Sequence, residues 1–171
     1  MLKEMEIDAP NKVWCADVTY IPMRRGYMFL FAILDWYSRK VLAWGLSNTQ
    51  ETTFCLKVLE EALSSQSEIP EVFNTDQGCQ FTSLSWSERL KEKGIKISMD
   101  GRGRWIDNVV VERFWRSIKY EEIYLREYND GVELEESIER YILHYNNDRP
   151  HQAACGATPT EAYSGVSKLS A

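Results

Sequence analysis

A chain of 171 residues is long enough for one domain with a substantial core. Its 44% hydrophobic and 27% charged content is that of an ordinary globular protein and excludes a disordered chain. A net charge of −6 argues against a free-standing nucleic-acid-binding module, which would be basic, but leaves open an enzyme with locally concentrated cations. The cations are indeed unevenly placed. Residues 101–120 carry Arg102, Arg104, Arg113, Arg116 and Lys119 against two acids, whereas residues 121–148 carry nine acids against Arg126 and Arg140. The four cysteines, Cys15, Cys55, Cys79 and Cys155, form no Cys-x-x-Cys pair for zinc, and two histidines are too few for a His-rich site. Reduced thiols in an intracellular protein are the expectation. Met1 to Pro10 are charged and lack the apolar run of a signal peptide. The longest apolar stretch, Tyr27 to Leu34, is far too short to span a membrane.

Along the chain, residues 1–12 read as an entry arm. Val13 to Ile21 is rich in β-branched and aromatic types and predicts a strand. Pro22 to Gly26 is a turn, and the continuously apolar Tyr27 to Leu34 predicts a strand buried on both faces. Asp35 to Arg39 turns the chain again before a third strand over Lys40 to Leu46; turns this short favour an antiparallel meander. Thr49 to Ser65 shifts to helical spacing through Phe54, Val58, Leu59 and Ala62. Glu71 to Asn74 reads as a short strand, followed by an Asp76–Gln77–Gly78 loop. Ser85 and Glu88 have the spacing of a capping box, which predicts a helix running to Lys93 and stopping at Gly94. Ile95 to Ser98 is a last strand. A long helix starts near Asp107–Asn108, both good N-cap types, and another runs from about Val132 to Asn146. The tail from Arg149 reads as loop and short helix. Three early strands, then strands alternating with helices, predict a mixed α/β sheet.

Three carboxylates stand out. Asp17 interrupts an apolar strand, where a charge is costly unless it is paired or binds metal. Asp76 lies just past a strand end, where ligand sites of open α/β sheets form. Glu112 lies in the first turns of a helix. Carboxylates suit Mg²⁺ or Mn²⁺, and two such ions about 3.5–4 Å apart can serve both oxygens of a phosphoryl transfer. Glu112, Arg116 and Lys119 fall at i, i+4 and i+7 on one helical face, which would suit a DNA backbone approaching metals. Plainer readings stand beside these. Asp17 could pair with a cation, Asp76 could serve only its turn, and Glu112–Arg116 could be a surface pair worth about 0.3–0.5 kcal/mol. Asp35 and Asp100 read as turn residues.

The motifs then become recognisable. Trp14 to Ile21 resembles the first-aspartate strand of bacterial insertion-sequence transposases with an integrase core, and Asp35–Trp36–Tyr37–Ser38–Arg39 resembles the turn that follows it. Asn74 to Ser83 resembles the second-aspartate loop. Ser98 to Gly103, and Asp107–Asn108 through Glu112 to Lys119, resemble the third motif. Thirty-five residues separate Asp76 from Glu112, the spacing of that family's Asp-Asp-35-Glu signature. Tyr145 to His151 and Thr158 to Tyr163 match the family's tail. The sequence departs from the family pattern at Ala154–Cys155–Gly156, which bears on the packing of the tail.

The resemblance implies a ribonuclease-H-like α/β fold, with a central five-stranded mixed sheet flanked by helices. It implies an arm over 1–12, a catalytic core over 13–147 and a tail over 148–171 packing on the core. It implies metal-dependent DNA strand cleavage and strand transfer by a two-metal polynucleotidyl transferase, with Asp17, Asp76 and Glu112 holding two Mg²⁺ or Mn²⁺ ions. DNA contacts fall to Arg116, Lys119, Arg113, Arg102 and Arg104, and supporting roles beside the acids to Gln77 and Asn108. The expected partners are transposon-end and target DNA and further copies of the chain, in the bacterial cytoplasm and at the nucleoid. Family members carry helix-turn-helix segments ahead of the first motif, so the expectation is a core separated from those segments. The alternatives are a nuclease of the same fold without strand transfer and a non-catalytic oligomerisation module.

Overall fold

The computed structural model describes residues 5–99 and 109–165; Asp100, Arg102, Arg104, Asp107 and Asn108 lie outside them. The three early strands are β1 (Val13–Pro22), β2 (Tyr27–Asp35) and β3 (Val41–Ser47), and they form the expected antiparallel meander. The first turn closes with Met23 N–H donating to Gly26 O at 3.0 Å, and Gly26 supplies a φ of +78° that a side chain would resist. At the second turn the backbone N–H and hydroxyl of Ser38 both donate to Asp35 Oδ1, at 2.8 and 2.6 Å. Asn11 N–H donates to the other Asp35 oxygen at 2.8 Å. Asp35 is therefore a buried turn residue whose carboxylate is satisfied by donors.

Helix α1 (Thr52–Ser65) starts three residues later than its spacing predicts. Thr49 N–H donates to Ser47 Oγ, so the chain is still turning there. Its buried stripe is Cys55, Val58, Leu59 and Ala62. Gly45 on β3 lets this helix come close, since a Cβ there would stand 2.9 Å from Val58 Cγ2 and 3.0 Å from Phe54 Cε2. Strand β4 (Val72–Thr75) pairs parallel with β1, and β5 (Lys96–Met99) pairs parallel with β4. Between them α2 (Leu84–Glu92) is capped by Ser83, whose side chain accepts from Trp86 N–H; the expected Ser85 cap is displaced. The reason is the turn before it: Phe81 and Thr82 N–H both donate to Gly78 O, which brings Ser83 to the helix start and leaves Ser85 inside the first turn.

The sheet order is β3-β2-β1-β4-β5, so β1 is central, with an antiparallel neighbour on one side and a parallel one on the other. Alternation along the strands sorts the core into two layers. Trp14, Ala16, Phe31, Ile33 and Ala43 pack against α1 and α2. Cys15, Ile21, Leu30, Ala32 and Leu34 pack against α3 (Val109–Glu121) and α4 (Gly131–Asn147). The tail ends in α5 (Pro159–Ser164), closed by a reciprocal capping box between Thr158 and Glu161. Tyr163 Oη donates to Asn11 Oδ1 at 2.8 Å, and Lys40 Nζ lies 4.4 Å from the Tyr163 ring centroid. The departure at Ala154–Cys155–Gly156 folds into a left-handed turn, with φ of 52° at Cys155 and 87° at Gly156. No helix among the described residues is long and apolar enough to cross a membrane.

Trp86 sits fully buried against Phe31, Phe73 and Phe81, with ring centroids 5.2–6.2 Å away. Its indole N–H has no partner among the described residues. Trp86→Ala is expected to lower unfolding free energy by about 3–5 kcal/mol in denaturant titration. Trp86→Phe is expected to cost clearly less, because no hydrogen bond is lost with the indole.

Candidate metal centre

Asp17 lies mid-way along β1, on the face that Cys15 and Ile21 present to α3 and α4. The parallel register Val13↔Val72 to Cys15↔Asn74, continued by two places, brings Asp76 level with Asp17 on the same face. Beyond β4 the chain turns tightly on Asp76 itself, whose Oδ1 accepts from Gly78 N–H at 2.9 Å. A Cβ at Gly78 would stand 2.9 Å from that same oxygen and 2.6 Å from Gln80 Nε2, so glycine is what the turn admits. Glu112 is exposed in the first turn of α3.

What holds α3 over Asp17 is Trp115, one turn beyond Glu112. Its indole Nε1 donates to Asp17 Oδ2 at 2.9 Å. Two turns on from Glu112, Lys119 Nζ donates to Thr19 Oγ1 at 2.7 Å and lies 5.3 Å from the Tyr20 ring centroid. Lys119 thus folds back onto β1 beside Asp17. Arg116 instead lines a groove on the other flank of α3 with Arg113, so the cationic ridge read from helical spacing divides in two. Gln77 is exposed and makes no hydrogen bond among the described residues.

The electrostatics mark Asp17 as the focus. Burial pushes its carboxyl up to about 6; the Trp115 indole and Val18 N–H oppose this, and the charges of Asp76 and Glu112 add to it. Burial holds the Lys119 ammonium below its ordinary value, with the Asp17 charge opposing. The charges of Asp76 and Glu112 therefore reach Asp17 across the gap between β1, β4 and α3. Among the described residues, no three carboxylate, imidazole or thiol groups already close into a cage around one ion. The donor set is all oxygen and its negative charges repel, which fits a hard divalent cation. Trp115, Thr19 and Gly78 were missed by sequence reasoning, although Trp115 lies at i+3 from Glu112, on a neighbouring part of the same face.

The HTLV-2 integrase catalytic core domain in complex with magnesium superposes with a TM-score of 0.75 at 21% identity, over 92% of this chain and 99% of that one. A simian T-cell lymphotropic virus intasome, in complex with PP2A regulatory subunit B56 gamma, gives 0.77 at 16% identity, over 95% of this chain and 57% of that one. The fold is ribonuclease-H-like α/β. Two family models, each described as an integrase core domain, match residues 8–104 and 93–159. The chain belongs to the integrase core domain family.

Among curated proteins it is 32% identical to the transposase for insertion sequence element IS904 of Lactococcus lactis subsp. lactis, over 90% of this chain and 61% of that protein. It is 29% identical to the transposase for IS629 of Shigella sonnei, over 94% of this chain and 54% of that protein. The chain thus spans little more than half the length of these transposases.

Because the folded-state pKa of Asp17 lies above its unfolded value of about 3.9, the folded state holds an extra proton between about pH 4 and 6. Stability falls as pH rises through that window. Asp17→Asn keeps an acceptor for Trp115 and removes the charge. In metal-free buffer at pH 7 it is expected to raise unfolding free energy by on the order of 1–3 kcal/mol. The gain is expected to vanish near pH 3; a loss of stability at pH 7 would contradict the electrostatic account.

Proposed function

We propose that this chain performs metal-dependent DNA strand cleavage and strand transfer in transposition, with Asp17, Asp76 and Glu112 holding two Mg²⁺ or Mn²⁺ ions. The observation that carries the reading is Asp17, an acid placed inside the central strand with its carboxyl pushed up to about 6 by burial and by two further acids facing it. Such an arrangement is unfavourable for the empty fold and becomes favourable when a cation sits among the three. The magnesium complex of the HTLV-2 core supports the choice of metal.

The bound ions would supply Lewis-acid polarisation of the phosphodiester and a water or 3′-hydroxyl made nucleophilic at neutral pH. The chain's own residues set the stage for this. Asp17 is fixed on a strand, with Oδ2 engaged by Trp115. Asp76 is fixed by its own turn through Oδ1, leaving Oδ2. Glu112 stands on α3, where a longer side chain closes the set. Cleavage and strand transfer are both in-line displacements at phosphorus, so one site serves both, with no covalent enzyme intermediate.

We assign DNA-backbone contacts to Arg116, Lys119, Arg113, Arg102 and Arg104, and supporting positions beside the acids to Gln77 and Asn108. The partners are transposon-end and target DNA together with further copies of the chain, in the bacterial cytoplasm. The dimeric and trimeric forms of the HTLV-2 core and the viral intasome support an oligomer.

A branched oligonucleotide that mimics a strand-transfer product tests the reading. With Mn²⁺ or Mg²⁺ the chain is expected to resolve and rejoin its strands, and Asp17→Asn, Asp76→Asn or Glu112→Gln to reduce that rate more than about 100-fold. Gly78→Ala, which crowds Asp76, is expected to lower the rate while the fold survives. Metal-dependent cutting without rejoining would instead establish a nuclease. No turnover and no metal binding would overturn the proposal.

A further inference from the structure

On the flank of α3 away from Asp17 lies a groove of about 400 Å³ between that helix, the β2–β3 turn and the segment after α4. Its lining includes Arg39, Arg113, Arg116, Arg149, Tyr145 and His151, and no carboxylate among the described residues. Among the described residues, only Arg149 of the four arginines is paired, donating to Glu121 at 2.6 and 3.0 Å. Arg39, Arg113 and Arg116 have no carboxylate within ion-pair distance among the described residues. Arg39 is held at the turn by a left-handed backbone, φ 69°, a conformation a side-chain-bearing residue adopts at a cost. Its guanidinium is partly buried, and burial depresses its pKa; Cys15, Tyr145 and the Asp35 carboxylate oppose this, and Arg113's charge adds to it.

His151 closes the far side. Its ring sits edge-on to Tyr145, 4.8 Å between centroids, and its buried Nε2 has no partner among the described residues. Burial, with the charges of Arg149 and Arg39, lowers its pKa to about 4, so the imidazole is neutral at pH 7. A neutral ring with a free Nε2 can carry its proton there and donate it. Unpaired guanidiniums held close together beside an orphan donor are costly in an empty fold. A bound phosphate would satisfy them together, since arginine forks match its oxygens.

We infer that this groove is a backbone-phosphate site for DNA, in which Arg39, Arg113 and His151 grip one phosphodiester across α3 from the acidic centre. The inference rests on the DNA-cutting reading above and extends it to residues outside the acidic triad. Arg116 on the groove's rim stands about 6 Å along α3 from Glu112, a rise of one to two nucleotides on a B-form strand. The site therefore holds a strand that crosses α3, without reading its sequence. Arg149, already paired with Glu121, fixes the wall and leaves its neighbours to the ligand.

The test is fluorescence anisotropy of the full chain with labelled duplexes of two unrelated sequences across a salt series. Arg39→Gln is expected to lower the slope of log K against log salt by about 1 for both duplexes. Arg113→Gln, at an exposed helical position the fold does not depend on, is expected to do the same and carries the test if Arg39→Gln unfolds. Inorganic phosphate is expected to shift the His151 imidazole resonances in wild type and not in Arg39→Gln or Arg113→Gln. Phosphate shifts in wild type with unchanged salt slopes in both variants would mean a free-anion site and overturn the proposal. If wild type rejoins branched DNA while both variants keep the full slope, this inference alone fails. If wild type binds no duplex at all, the parent reading fails with it.

Discussion

The hydrogen bond from the Trp115 indole to Asp17 ties α3 to the central strand at the one place where that strand carries a charge. Trp115 packs in the apolar layer with Phe114, and Phe114 in turn packs on Tyr145 of α4. Burial of these aromatics therefore positions the indole N–H that makes the polar contact. Remove the indole and Asp17 loses the donor that offsets its burial, while α3 loses the contact that sets Glu112 over the sheet. The parallel pairing of β1 with β4 supplies the other half, because register alone sets Asp76 beside Asp17.

Such a site works against the stability of the empty fold. A partly buried aspartate with its carboxyl pushed up to about 6, facing two more acids, costs folding free energy near neutral pH. The aromatic cluster around Trp86 on the opposite face of the sheet is well placed to offset that cost. A similar tension recurs behind α3, where arginines without a carboxylate partner among the described residues gather beside a neutral histidine. The acids and Lys119 on one flank and the arginines on the other give the helix two charged faces, and the chain's overall net charge of −6 conceals this.

Much of the fold was legible because its signals are local. The apolar run of β2 predicts burial on both faces, and Leu30 to Leu34 are fully buried. Helical spacing from Val58 to Ala62 predicts a buried stripe, and α1 has one. The three acids stand out in the sequence because each breaks a local expectation or fits the 35-residue spacing, and the topology brings the charges of Asp76 and Glu112 to bear on Asp17. What was not legible depends on residues far apart in the chain. Trp115 and Asp17 are separated by 98 positions, and nothing in either segment names the other. Lys119 shares a helical face with Arg116 on paper, yet Thr19, 100 residues away, draws it to the strand. The groove joins a β-turn, a helix and the tail, so Arg39 and His151 read separately as a turn residue and part of the tail motif. The displaced helix cap at Ser83 is a smaller case, decided by a turn whose bonds the spacing of Ser85 and Glu88 does not reveal.

The central claim is that Asp17, Asp76 and Glu112 form one metal centre. Anomalous scattering from crystals grown with Mn²⁺ tests it most directly. The account predicts manganese peaks within about 2.2 Å of carboxylate oxygens of Asp17 and Asp76, with Glu112 turned in to complete the set. Saturating manganese with no peak at Asp17, or a peak held by a different group of residues, would contradict it.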